Sequence, residues 1–262
     1  MRSLLVIGMG VGNPEHMTVQ AINALKRVDV FFVLDKGSVK SDLVRIRRDI
    51  CDRYLDAQSY RIVEIADPVR DPAVASYASR VEAWHEQRAG LYEQMIEAEL
   101  SQEQCGAFLV WGDPSLYDST LRILEQVLAR ARLAFEYEVI PGISSVQALA
   151  ASHRIALNRI GGSIHIITGR QLALGLPAGS QDVVVMLDGE CTFKLIDDDD
   201  IDIYWGAYLG TRDELLVSGN LRRRAAEIER LRGEARVRHG WIMDIYLLRR
   251  VALVKAAERS QA

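Results

Sequence analysis

The sequence has few of the features that mark several large classes of protein. Its three cysteines, Cys51, Cys105 and Cys191, are odd in number and far apart, which argues against a disulfide framework or a zinc site and fits a reducing compartment. The five histidines show no metal-ligand spacing. No apolar run reaches the ~18 residues that a membrane span needs. The 32 basic and 36 acidic residues give a net charge of −4, without the basic excess on which nonspecific nucleic-acid binding depends. We therefore expect a soluble, cytoplasmic protein with no metal, membrane or nucleic-acid partner.

The first part of the chain alternates short apolar runs with longer amphipathic segments. Apolar runs at 4–7, 28–34 and 107–111 predict buried strands. The segments 14–28, 42–54 and 73–103 between them predict helices, the first of which has Asn13 as its N-cap and Pro14 at its first position. Strands and helices in alternation predict an α/β domain with a mostly parallel sheet.

The pattern changes after Tyr117, where strands follow one another with fewer helices between them. Strands are predicted at 136–140, 163–168, 182–187, 201–209, 214–218 and 242–254, and helices at 120–131, 144–151 and 221–231. Consecutive strands of this kind imply a mixed or antiparallel sheet. We therefore predict two α/β domains, over residues 1–116 and 117–262.

A glycine-rich loop follows the first predicted strand. Gly8, Gly10 and Gly12 allow positive φ angles and a close approach of a ligand to the backbone. The dinucleotide fingerprint needs its third glycine at the position that Asn13 occupies here, although Asp35 after the second strand is placed like the ribose-binding acid of that motif. The loop by itself is consistent with either a ligand contact or a tight turn.

Two further motifs lie at predicted strand ends. Residues 111–117, Trp-Gly-Asp-Pro-Ser-Leu-Tyr, follow a buried strand at the edge where parallel sheets bind ligands, and Asp113 is suited to accept a hydrogen bond from an ammonium or hydroxyl group. Residues 141–145, Pro-Gly-Ile-Ser-Ser, precede a predicted helix, where Ser144 is either an N-cap or part of an anion-binding helix end. Both motifs are also consistent with turns that lead into capped helices, and the position of Ser144 favours this interpretation for the second motif.

The three loops together, in this order and spacing, resemble the tetrapyrrole (class III) S-adenosylmethionine-dependent methyltransferases. The resemblance covers nearly the whole chain and implies two α/β domains with S-adenosylmethionine held between them. It also implies a homodimer. In place of the family's usual residues, this sequence has Trp111 for the first glycine of the second loop and Val11 for a common proline in the first loop.

The resemblance implies which residues bind the cofactor. Positions that match the family's cofactor contacts lie in all three loops and in two later strand ends: Val11, Trp111, Gly112, Asp113, Leu116, Ser144, Ser145, Leu187 and Gly210. Leu187 matches the position that walls the adenine, and Gly210 matches a glycine before threonine.

Longer strings at 28–37, 111–120, 187–190 and 203–211 resemble one branch of the family, which methylates C1 of precorrin-5 and releases an acetyl group as acetate. For the release step, the candidates are Asp35 as base or proton shuttle and Tyr117 as hydrogen-bond donor. For Asp35, comparison with ordinary acids at strand ends favours a helix cap or a surface carboxylate. The substrate is a polyanion, and the candidate cations for its carboxylates are Lys36, Arg70, Arg88 and Arg170.

Three alternatives remain open at this point. A related methylase that acts on another carbon or another tetrapyrrole would carry the same cofactor loops. A non-catalytic tetrapyrrole-binding protein would bind the macrocycle without turning it over. A nicotinamide-dependent reductase would need the dinucleotide fingerprint, which Asn13 interrupts.

Overall fold

A computed structural model describes residues 1–35, 41–56, 59–68 and 77–251 of the chain. Internal contacts divide it into two compact units, one from Met1 to Ser144 and one from Ser145 onward. In each unit the described residues form a five-stranded sheet. The predicted combination of one parallel and one mixed sheet is confirmed.

The sheet of the first unit is parallel throughout its described pairings. Its spatial order is β3-β2-β4-β1-β5. The strands are β1 (Arg2–Gly8), β2 (Val30–Asp35), β3 (Arg61–Ala66), β4 (Cys105–Val110) and β5 (Phe135–Ile140). The central strands β1 and β4 are buried on both faces, which explains their continuous apolar sequences.

Helices cover both faces of this sheet. They are α1 (Val19–Leu25), α2 (Ser41–Tyr54), α3 (Tyr77–Glu99) and α4 (Thr120–Ala129), preceded by a short 3-10 helix, Pro14–His16. Successive side chains of a strand point to opposite faces, so Leu4 and Val6 of β1 join one core with α3 and α4. Leu5 and Ile7 join a second core with α1 and α2.

The second unit has a mixed sheet in the order β6-β7-β10-β8-β9. Of its described pairings, β6 with β7 is parallel and the others are antiparallel. The strands are β6 (Ile164–Thr168), β7 (Asp182–Met186), β8 (Ile201–Ala207), β9 (Leu215–Asn220) and β10 (Asp244–Arg250). The helices are α5 (Ser145–His153), the short α6 (Gly169–Leu172) and α7 (Leu221–His239), with a 3-10 helix at Thr192–Leu195.

The boundary between the units lies later than predicted. The predicted boundary after residue 116 would assign β5 to the second domain. In the structure β5 returns to the first sheet and pairs in parallel with β1, with Leu4 opposite Tyr137, and Phe135 is buried in the first unit's core. The first unit therefore continues through Ser144.

Two local predictions are also corrected. The single helix predicted over 14–28 is interrupted, because Thr18 accepts the N–H of Ala21 through its hydroxyl at 3.0 Å and starts α1 as a new helix. Asn13 caps the preceding 3-10 helix instead. Strand β3 was not predicted, because it lies at the sheet edge and its half-buried, charged sequence lacks a continuous apolar run.

Candidate active site

Three loops meet at the carboxyl edge of the first sheet. Residues 9–13 follow β1, residues 111–119 follow β4 and residues 141–144 follow β5. The three strands are neighbours in the order β4-β1-β5 and run in parallel, so their carboxyl ends lie side by side. The structure thus brings together the three motifs that the sequence analysis singled out.

The loops contact one another directly through glycine backbone. Gly112 donates its N–H to the carbonyl of Gly10 at 2.8 Å, and Gly10 donates to the carbonyl of Gly112 at 3.4 Å. A Cβ atom on Gly142 would lie 2.2 Å from the Gly112 oxygen, and one on Gly8 would lie 2.6 Å from the Gly142 nitrogen. Backbone therefore packs on backbone here, which explains the glycines without a bound pyrophosphate.

Asp113 joins two of these loops. Its Oδ2 accepts the N–H of Gly142 at 2.8 Å, and its Oδ1 accepts the N–H of Ser115 at 2.8 Å and the Ser115 hydroxyl. Partial burial works to raise the pKa of Asp113, but the hydrogen bonds from Ser115 and Gly142 outweigh it and lower the pKa. The carboxylate thus has a structural function in addition to the ligand contact that the resemblance implies.

The other candidate residues of this edge differ in accessibility. Val11 is only 2% exposed, and Ser144 is buried, whereas Trp111 and Leu116 are half-buried. Trp111 packs against the core shared by α1 and α2. Ser145 is the first residue of α5 and belongs to the second unit.

The structure describes the side chain of one of the two catalytic candidates, Tyr117. It is 43% exposed and has a φ of 53°, a left-handed conformation uncommon for a residue with a side chain. Burial of the hydroxyl region raises the pKa of Tyr117. Asp35 ends β2 opposite Ala66, and its side chain lies outside the described part of the structure.

The candidate cations for substrate carboxylates have different outcomes. Arg88 is buried and is engaged with protein groups: its Nε donates to Asp67 Oδ1 at 2.6 Å, Nη2 donates to Asp67 Oδ2 at 2.5 Å and Nη1 donates to Ser119 at 3.2 Å. These bonds and the burial of the side chain give Arg88 a structural role and disfavour it as a cation for substrate carboxylates. Arg170 is exposed in α6. Lys36 and Arg70 lie outside the described residues.

The second unit presents two candidate loops at one edge of its sheet. Met186 at the end of β7 pairs with Ile245, and Ala207 at the end of β8 pairs with the neighbouring Asp244. The strands β7 and β8 therefore end on either side of the start of β10. Leu187 directly follows β7, and residues 208–214 follow β8 (Ile201–Ala207).

Leu187 is an exposed apolar side chain in an unfavourable backbone conformation. It is 64% exposed and has a φ of 55°. Gly210, in the loop after β8, has a φ of 74° and donates its N–H to Glu214 Oε2 at 2.8 Å. Two of the three residues that the family resemblance marks in this unit, Leu187 and Gly210, thus lie in left-handed turns at the same sheet edge.

Some charged residues near these loops were missed by the sequence analysis. Arg47 of α2 donates from Nε to the carbonyl of Leu109 at 3.0 Å, next to the loop after β4, and burial lowers its pKa to about 10. Asp188 is buried beside Leu187. The sequence does not indicate which group a charged residue in a helix or turn will bind. For Asp188, the one available signal was its position directly after an apolar strand.

No group of three or more metal-ligating side chains comes together in the part of the chain that the structure describes. None of the helices within that part is long and apolar enough to cross a membrane.

The model of the tetrapyrrole (corrin/porphyrin) methylase family matches residues 3–224, so the chain belongs to this family. The chain is 56% identical over 252 residues to a Sinorhizobium protein named precorrin-6A synthase [deacetylating], a match that covers 96% of this chain and 97% of the relative. The predicted family and the predicted class, an S-adenosylmethionine-dependent methyltransferase, are confirmed.

Solved structures agree with this assignment. A cobalamin synthesis related protein, CobF, of Corynebacterium diphtheriae is 40% identical, with a TM-score of 0.83, and the match covers 96% of this chain and 99% of that chain. A uroporphyrin-III C-methyltransferase of Thermus thermophilus, complexed with S-adenosylhomocysteine, has the same fold at 18% identity. Its TM-score is 0.58, and the match covers 96% of this chain and 99% of that one.

Proposed function

We propose that the protein methylates C1 of precorrin-5 and releases the acetyl group of this substrate as acetate, which is the reaction of a precorrin-6A synthase. The observation that carries the proposal is the 56% identity to the Sinorhizobium protein of that name. The match spans 96% of this chain and therefore includes both sheets.

S-adenosylmethionine, when bound, supplies an electrophilic sulfonium methyl group. The residues proposed to bind it are those of the family resemblance: Val11, Trp111, Gly112, Asp113, Leu116, Ser144, Ser145, Leu187 and Gly210. The fit is supported in each unit by its own geometry. The glycine contacts and Asp113 fix the loops of the first unit, and Leu187 offers an exposed apolar surface for a purine ring. That the cofactor lies between the units stays a prediction.

The first unit's loops suit a reaction that depends mainly on alignment. Methyl transfer is an in-line displacement, and correct orientation of the reactants can lower its barrier by several kcal/mol. The hydrogen bonds of Asp113 and the pairing of Gly10 with Gly112 hold these loops in one arrangement before any ligand binds. This rigidity reduces the entropy that would otherwise be lost on binding.

For acetate release we propose Asp35 as the base that activates water and Tyr117 as the donor to the developing oxyanion. Water adds to the acetyl carbonyl, the carbon–carbon bond to the macrocycle breaks, the bonding electron pair stays with the macrocycle, and acetate leaves. The raised pKa of Tyr117 keeps its phenol protonated and able to donate. We expect Tyr117→Phe to slow acetate release roughly 100-fold, as loss of an oxyanion donor does. Methyl gain measured in the same samples serves as the internal control.

The direct test is a mass spectrum of precorrin-5 after incubation with the protein and S-adenosylmethionine, with acetate assayed in solution. Gain of one methyl group and loss of the acetyl group is the expected result. A methylated product that keeps its acetyl group would restrict the activity to methylation. Unchanged precorrin-5, with the cofactor bound, would favour a related methylase with another substrate or a non-catalytic tetrapyrrole-binding protein.

We also propose that the protein is a homodimer and is cytoplasmic. Support for the dimer comes from exposed apolar side chains near β6, an edge strand of the second sheet: Ile160, Ile166 and Leu174. Such an edge favours pairing with another copy.

The cytoplasmic location is supported by the cysteines. Cys51, Cys105 and Cys191 are all free, as a reducing compartment requires. Light scattering after size-exclusion chromatography and cell fractionation test these two points.

A further inference from the structure

The turn after β7 contains a buried carboxylate with an unusually complete set of hydrogen bonds. Asp188 Oδ1 accepts the N–H of Glu190 at 3.0 Å and the hydroxyl of Thr192 at 2.8 Å. Asp188 Oδ2 accepts the N–H of Thr192 at 2.7 Å and the hydroxyl of Tyr246, on β10, at 2.6 Å. Four donors from the turn and from a neighbouring strand therefore fix this side chain.

The main chain of Asp188 is held from a different direction. Arg232, on α7, donates from Nη2 to the Asp188 carbonyl at 2.9 Å and from Nε to Asp244 Oδ2 at 3.0 Å. Trp205 Nε1 donates to the same Asp244 oxygen at 3.0 Å. Arg232 and Asp244 are both buried, and burial raises the pKa of Asp244 against the opposing effect of Arg232.

A third contact closes the turn from the side of β6. A Cβ atom on Gly169, the first residue of α6, would lie 2.7 Å from the Asp188 Cα. The Asp188 backbone is thus enclosed by α6 and α7, while its carboxylate is bonded to the turn and to β10. The turn therefore has no room to shift toward α6, and the hydrogen bond from Arg232 links it to α7.

The residue that this enclosure affects is Leu187. A left-handed conformation costs a residue with a Cβ atom about 1 kcal/mol, and an exposed leucine has no packing of its own to offset that cost. Leu187 nevertheless has a φ of 55° with 64% of its surface exposed. The hydrogen bonds of the adjacent Asp188 are contacts that can offset this cost.

We propose that Asp188, with Arg232 behind it, is a positioning residue for methyl-donor binding: the turn that Asp188 fixes presents Leu187 as an apolar wall to the adenosine part of the cofactor. This inference rests on the proposed function, in which Leu187 contacts the cofactor. It adds that affinity for the adenosine part depends on a carboxylate that touches no ligand.

The test compares two buried carboxylates that flank the same strand. Asp188→Asn replaces an acceptor oxygen by an amide that opposes two of the donors, and we expect S-adenosylhomocysteine to bind about tenfold more weakly by calorimetry. The KM for S-adenosylmethionine should rise by a similar factor, with a much smaller change in kcat. Asp182→Asn is the matched control, because Asp182 begins β7, is fully buried and accepts from Arg249 Nε at 2.6 Å. It should lower the free energy of unfolding without changing the dissociation constant.

Two further variants show whether the effect passes through Leu187. If it does, Asp188→Asn should change the dissociation constant little once Leu187→Ala is present, because the two substitutions act on one contact. Tyr246→Phe removes a single donor to Asp188, and a loss of about threefold is expected even if Asp188→Asn fails to fold.

The contrary outcomes are distinct. A folded Asp188→Asn or Tyr246→Phe protein with wild-type affinity, or effects of Asp188→Asn and Leu187→Ala that add fully, would overturn the positioning inference and leave the proposed function intact. Failure of the wild-type protein to bind S-adenosylhomocysteine would instead overturn the proposed function.

Discussion

Gly142 lies where no side chain fits, because the carbonyl of Gly112 and the backbone of Gly8 are already in contact with it. Single residues of this kind decide whether the loops at the first sheet's edge can meet. The same is true of Asp113, whose two carboxylate oxygens bind donors from two different loops. At this scale the candidate site depends on backbone contacts as much as on the side chains that face a ligand.

Gly142→Ala should destabilise the protein by about 2–3 kcal/mol and weaken S-adenosylhomocysteine binding, because the new methyl group would force the loops after β4 and β5 apart. Urea denaturation measures the first effect and calorimetry the second. Gly233→Ala is the control, since nothing lies within 4 Å of the added atom in α7, and there we expect a gain of about 0.5–1 kcal/mol. Equal effects of the two substitutions would contradict the packing argument.

Asp113→Asn should show a pH-dependent loss of stability. The pKa of Asp113 is lower in the folded protein than in the unfolded chain, so its stabilisation is present above the ordinary aspartate pKa of about 3.9 and is lost as the pH falls through the folded value. With allowance for partial exposure, we expect a cost of about 1 kcal/mol at pH 7. Denaturation at pH 7 and below pH 4 measures the difference in the free energy of unfolding between Asp113→Asn and the wild type. We expect this difference to be smaller at the lower pH. A difference that does not change with pH would contradict the stabilising role of the Asp113 charge.

Secondary-structure elements bring the candidate residues together through their direction in the two sheets. In the first unit, β4, β1 and β5 are parallel neighbours, so three loops that are distant in sequence share one edge. In the second unit, β7 and β8 end on either side of the start of β10, which places Leu187 and the loop of Gly210 at one edge. The position of the site therefore depends on the directions and order of the strands, and less on the residue at which each strand begins or ends.

Thr18→Ala should destabilise the first unit by about 1 kcal/mol, because it removes the hydroxyl that accepts the N–H of Ala21 at the start of α1. Thr18→Ser keeps that acceptor and should stay close to wild type in the same denaturation experiment. Affinity for S-adenosylhomocysteine should not change in either variant. A loss of stability in Thr18→Ser equal to that in Thr18→Ala would show that the methyl group, and not the cap, is what matters.

For the whole molecule, ligand-induced stabilisation separates a methyltransferase from a nicotinamide-dependent reductase. A ligand that binds only the folded protein stabilises it by about 2.7 kcal/mol at 100 times its dissociation constant. We expect S-adenosylhomocysteine to raise the melting temperature in this way and NADPH to leave it unchanged. A rise in melting temperature with NADPH but not with S-adenosylhomocysteine would contradict the assignment of S-adenosylmethionine as this protein's cofactor.

The sequence alone was sufficient for the fold class, the three loops of the first unit and the family. Buried parallel strands must be apolar on both faces, and loops that pack backbone on backbone must be glycine, so both leave marks in the linear pattern. The sequence Asn13-Pro14 likewise predicted a helix start, with Asn13 as its N-cap. The strand that was not predicted, β3, is an edge strand without a continuous apolar run.

Only the tertiary structure decided which sheet β5 joins and which partners the buried charges take. The pairing of β5 with β1 joins residues more than a hundred positions apart, so the 116/117 boundary could not have been corrected from local sequence. Likewise, nothing in the sequence distinguishes Arg88, which binds Asp67, from an arginine that faces solvent. Three of the four donors to Asp188 come from Glu190 and Thr192 in the same turn, but the fourth, the Tyr246 hydroxyl on β10, is brought to Asp188 only by folding, because hydrogen bonding depends on distance in space and not along the chain.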